Sequence, residues 1–160
     1  MAKRRVFYSF HYDNDVFRVQ QIRNMGELDG DKPVSVNDWE TVKKGGNKAI
    51  ETWIDGNMKH KSCVVVLVGE DTYKRPWVKH EIKKAWEDGK ALVGIYIHNL
   101  KDPKTGKCSK GTSPFEQFTF KDGTKLSSKV KCHNPNTTDA NNDIKNNIED
   151  WIETAIESRK

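Results

Sequence analysis

The stretch that most constrains this chain is residues 62–68, SCVVVLV, an unbroken apolar run that leaves through the polar GEDTY. A strand with one wet face alternates apolar and polar residues. A continuous run of this length is typical of a parallel strand covered on both faces. Helices must then lie on each side of it. Upstream, Ala49, Ile50, Trp53, Ile54 and Met58 form a wide apolar face, with Asn47 placed to cap the helix. Downstream, Val78, Ile82 and Ala85 form the stripe of a helix that begins near Trp77. Pro76 suits its first turn and Gly89 its end.

The remaining elements fall into the same alternation. RRVFYSF (4–10) mixes β-branched and aromatic residues and predicts the first strand. Val16, Val19, Ile22 and Met25 recur at helical spacing behind Asp15 as a cap. MGELDGDKP breaks that helix, and VSV (34–36) predicts a short second strand. ALVGIYI (91–97) predicts the next strand. From His98 to about Asn142 the pattern fades into polar turn residues, with FEQFTF and KLSSKV joined by KDGT as a small hairpin. Ile144, Ile148, Ile152, Ala155 and Ile156 predict a closing amphipathic helix, with Asp143 near its start. The order predicts a single α/β domain over 1–160: a parallel sheet with helices on both faces and a long irregular insertion at about 98–142.

Composition narrows the partners. A length of 160 residues is enough for one full core. The formal charge of +5 suits anionic ligands such as nucleotides, and no long basic run calls for nucleic acid. No run of about 18 apolar residues offers a membrane span, and no signal peptide is evident, so a cytoplasmic protein is expected. Three cysteines, Cys63, Cys108 and Cys132, are expected as free thiols, with Cys63 in the core. Cys108, Cys132 and His133 lack an evident fourth ligand, so no metal site is expected.

In such sheets ligands bind outside the carboxyl ends of the strands. That rule selects the turn after Phe10, the loop after Val36 and the loop leading into Trp77. On the helix RPWVKHEI, Trp77 and Glu81 lie within about 40° of each other, and Glu81 borders the buried stripe. Five tryptophans and ten glutamates should give roughly 0.3 such pairs by chance. The pair is therefore weak by itself, and Glu81 has Lys84 one turn on as an ordinary ion-pair partner. There is no GxGxxG, GxxxxGK[ST] or GxSxG motif to support a Rossmann, P-loop or hydrolase reading.

Taken together, RVFYSFHYDND, the Asp38-Trp39 pair and RPWVKHEI resemble the TIR-like domains of bacterial antiphage defence, most nearly the Thoeris (ThsB-like) TIR proteins. The resemblance runs over roughly residues 3 to 116 and includes SKGTSPFE. It implies a flavodoxin-like fold and cleavage of NAD at the nicotinamide–ribose bond, with NAD as substrate and no separate cofactor. It implies Glu81 as the catalytic carboxylate. Trp77 and Phe10 would line the pocket, Ser9 or His11 would bond ribose or phosphate, and Asp38 would sit in a loop that closes the site. It also implies TIR–TIR homo-oligomers and a cyclic ADP-ribose isomer sensed by a separate effector protein.

The chemistry suits one carboxylate. Nicotinamide is cationic in NAD and leaves neutral, so no general acid is required. The ribose becomes oxocarbenium-like, and a carboxylate in a poorly hydrated pocket stabilises it. Two rival readings of the same residues are a non-catalytic TIR interaction module and a nucleoside-processing N-glycosidase with Glu81 as nucleophile.

Overall fold

The computed structural model describes residues 4–27, 29–30 and 44–159. Its centre is the strand β3, Cys63–Val68, all six residues of which are buried. The pleat sends Cys63, Val65 and Leu67 to one face and Val64, Val66 and Val68 to the other. Both sets enter apolar clusters, which is why the run needs no polar alternation.

β1 (Arg5–Ser9) and β4 (Ala91–Tyr96) flank β3 in parallel. Two short strands close the edges: β2 (Asp29–Gly30) beside β1 and β5 (Cys132–His133) beside β4. The order is β2-β1-β3-β4-β5, the flavodoxin-like arrangement. Helices α1 (Tyr12–Asn24) and α4 (Ala140–Ser158) cover the face holding Val6, Tyr8 and Val65. Helices α2 (Gly46–Met58) and α3 (Pro76–Glu87) cover the face holding Phe7, Val64 and Val66.

Several boundaries differ from expectation. The N-cap of α1 is His11, and Asp15 lies inside the helix, buried. The stripe of α1 is Asp15, Arg18, Val19 and Ile22, while Val16 is only half-buried and Phe17 is exposed. An ion pair shares that stripe, which shifts its phase from the apolar spacing. Gly45, not Asn47, caps α2. Asp139 caps α4 by accepting from the Asn142 amide at 3.2 Å, and Asp143 sits in the first turn. Pro76 does open α3, and Gly89, at φ 77°, follows its end. The expected strand at 34–36 lies outside the described residues.

The 98–142 insertion is built, although it contains little regular structure. Arg18 donates to the Leu100 carbonyl at 3.0 Å and to the Gly106 carbonyl at 2.8 Å. Asp102 and Gly106 form an antiparallel bridge, with the Asp102 carboxylate accepting from the Lys104 amide at 2.8 Å. Phe115 is fully buried against Gly94, where an added methyl group would meet its ring and the Cys132 sulfur. The expected hairpin reduces to one bridge, Thr119 with Lys125, between short 3-10 turns. β5, which sequence reasoning did not foresee, adds the last edge of the sheet.

Candidate active site at the exit of the first strand

The strand order reverses between β1 and β3, the switch point at whose carboxyl end sheets of this kind bind ligands. Alternation puts Val6 and Tyr8 on the α1–α4 side and Phe7 on the other, so Ser9 faces α3. On α3 the buried residues are Val78, Glu81, Ile82 and Ala85, spaced as one helical stripe. Glu81 is the stripe's one charged member, and it is only 7% exposed.

The two meet. The hydroxyl of Ser9, which is fully buried, donates to Glu81 Oε1 at 2.8 Å across 72 residues of sequence. Lys84, the ordinary partner considered for Glu81, instead faces Asp55 at 3.9 Å and Asp88 at 3.1 Å. An ionised carboxylate buried without a cation costs several kcal/mol, and one hydroxyl donor returns only about 1.5 to 3. Burial therefore pushes the Glu81 carboxyl up to about 8, with the Ser9 bond pulling it back part of the way. Burial thus favours the protonated form of Glu81 near neutral pH.

The other expected site residues surround this pair unevenly. Trp77 lies one turn before Glu81, half-buried against the α2–α3 cluster, and meets His80 edge-on at 5.5 Å. Phe10 follows Ser9 but packs partly against the opposite, α1–α4, cluster. His11 is buried at the head of α1, and its carbonyl accepts from the Asp15 amide at 2.9 Å. Asp38 lies outside the described residues.

A second buried carboxylate stands nearby in the fold. Asp15 pairs with Arg18 at 2.9 Å, with both side chains almost wholly buried. Its carboxyl is so close to Gly69, the first residue after β3, that a methyl group there would overlap it. Burial raises Asp15 to about 6, opposed by the charge and hydrogen bond of Arg18. Sequence reasoning read Asp15 only as a cap. The available signal was the Asp15–Arg18 spacing of three in phase with Val19 and Ile22. Gly69 is further fixed by its amide, which donates to Thr72 Oγ1 at 2.8 Å.

Two of the cysteines, Cys63 and Cys132, lie in strands of the sheet. Cys63 is core, and burial pushes its thiol up to about 12. Cys132 is in β5, and His133 beside it stacks on Trp151 at 4.4 Å. Among the described residues, no helix is long and apolar enough to cross a membrane.

Comparison with known proteins agrees with the fold. Residues 7–102 match the family described as Thoeris protein ThsB, TIR-like domain. This chain belongs to that family. A relative from Bacillus cereus (strain MSX-D12), named putative cyclic ADP-D-ribose synthase ThsB1, is 38% identical over 126 residues. That match covers 75% of this chain and 65% of the relative's length. The matched family segment contains Ser9, Glu81 and the Asp15–Arg18 pair, and it ends just inside the insertion.

Proposed function

We propose that this TIR-like protein cleaves the nicotinamide–ribose bond of NAD and closes the ADP-ribose portion into a cyclic isomer, a signal for a separate effector in antiphage defence. The observation that carries this reading is the buried Glu81 carboxyl at the β1–β3 switch point, bonded to Ser9 at 2.8 Å. The name of the Bacillus cereus relative supports the same product class.

The site's parts divide the work. Ser9 fixes one oxygen of Glu81, so the carboxylate need not reorganise as charge develops on the ribose. The apolar wall of Val78 and Ile82 excludes water, which strengthens that electrostatic contact. As the C–N bond breaks, its electron pair goes to the ring nitrogen and nicotinamide departs neutral. The ribosyl cation then faces Glu81 until a nucleophile from the adenosine side captures it and loses a proton. Water competing for that cation would give linear ADP-ribose. Trp77, half-buried one turn before Glu81, would supply an aromatic wall for the ring.

The test is incubation of the protein with NAD at high protein concentration, with and without lysate from phage-infected cells, and separation of products by mass and retention time. A nicotinamide-plus-cyclic-product pair is expected. Glu81→Gln should lower turnover by about three orders of magnitude while the fold is kept. Undiminished turnover in that variant removes Glu81 from the chemistry. NAD left intact under every condition favours the interaction-module reading. Activity on free nucleosides with a trapped covalent sugar favours the nucleophile reading.

A further inference from the structure

Glu81 is a buried acid whose hydrogen-bond partner is neutral. β1 brings Ser9 to it, with Phe10 and His11 following. The Val78, Ile82 and Ala85 stripe beside it packs with Val64, Val66 and Val68 of β3, Leu92 and the partly buried Tyr96 of β4, and Ile50 and Ile54 of α2. Several charged groups near Glu81 pair with one another. On α3 itself, His80 and Lys84 turn toward Asp55 of α2 at 3.8 and 3.9 Å. Lys74 pairs with Asp71 in the turn before α3, at 3.4 Å. Asp15 on α1 is paired with Arg18. Among the described residues, no cation is set against Glu81.

We infer that the substrate itself supplies the missing positive charge: binding of a cationic, oxidised nicotinamide ring expels the proton from Glu81, and the neutral reduced ring is refused. This rests on the NAD-cleaving reading above and adds to it a rule of selection. The steps balance. Glu81 binds as the acid, and the cationic ring enters as one proton leaves to solvent, so the pocket's net charge stays the same. Bond cleavage then moves the positive charge from the ring to the ribose, still opposite the carboxylate. When the neutral nicotinamide and the product depart, Glu81 takes a proton back. The carboxylate is thus charged only while a cation is there to share the desolvated site, which keeps an unpaired ion out of the resting protein. A reduced nicotinamide brings no charge, so it meets an uncharged acid and gains no ion pairing.

The elevated proton affinity of free Glu81, with its midpoint near 8, fixes the window in which this is visible. Affinity for the cation should rise by up to about tenfold per pH unit from pH 6 to 8, then level off.

The test is calorimetric titration of the native protein with carba-NAD, the cationic analogue whose glycosidic bond cannot break, in two buffers of different ionisation enthalpy. Close to one proton released per site at pH 7 is expected, with none for NADH. Asp15 and His11 also lie near the strand exit, so Glu81→Gln is the control: the proton count and the pH slope should both vanish. Circular dichroism checks that this variant is folded. Carba-NAD that binds without proton release, that releases the same proton from Glu81→Gln, or that fails to bind at pH 8 overturns the inference. NAD turnover measured alongside separates the two claims. Turnover without proton release leaves the proposed function standing and removes only this inference, whereas absence of turnover in any form removes the proposed function.

Discussion

Asp15 and Glu81 are both carboxylates buried at the carboxyl edge of one sheet, yet they are treated in opposite ways. Asp15 has a guanidinium at 2.9 Å, and that guanidinium also ties down the Leu100 and Gly106 carbonyls. Glu81 has one hydroxyl at 2.8 Å. Burial raises both, but Asp15 to about 6 and Glu81 to about 8. A buried acid paired with arginine organises structure, because its charge is used up in holding the chain. A buried acid left with a neutral donor keeps its charge in reserve. That reserve is what a reaction passing through a cation requires.

The comparison breaks most sharply at Arg18. Arg18→Ala leaves Asp15 buried without its cation and frees two carbonyls of the insertion. We expect a loss of about 3–5 kcal/mol in denaturant unfolding near neutral pH. Amide exchange should speed up across 98–107 first. A loss under 1 kcal/mol would mean that the pair is not what holds the insertion.

The opposite sign is expected at Glu81. Its folded-state proton affinity is raised, so ionisation opposes folding. The penalty is absent below about pH 4.5, grows as pH rises, and is complete above about pH 8. Glu81→Gln removes it. Allowing for the cost of burying an amide, the variant should be more stable than the native protein by on the order of 2 kcal/mol at pH 8. It should show no such gain at pH 4.5. A gain in stability with a loss of turnover is the pattern of a residue kept for chemistry at the fold's expense. Equal destabilisation at both pH values would place Glu81 among ordinary packing residues.

How far the sequence shows this difference follows from the range of each interaction. β3 was legible because burial on both faces writes itself into six consecutive residues, Cys63–Val68. The α3 stripe was legible because its one buried face recurs at helical spacing in Val78, Ile82 and Ala85, with Glu81 at its edge. The Ser9–Glu81 bond was legible only as two residues assigned to the same end of the sheet. Its 2.8 Å geometry depends on β1 and α3 being packed by residues far from either. Asp15 was misread because a charged residue ahead of an apolar repeat looks like a cap until its burial is known. β5 escaped notice because two residues in a polar, turn-rich segment carry no periodicity. The backbone bonds to Arg18 that order the insertion leave no mark in composition.

The central claim is that Glu81 rests as an acid in a site too dry to keep it charged. The most direct measurement is a carbon-13 NMR titration of the glutamate side-chain carboxyls in the unliganded protein, with Glu81→Gln assigning the resonance. A midpoint near 8 for Glu81 is expected, falling when carba-NAD is added. A midpoint near the ordinary glutamate value, about 4.3, would contradict it.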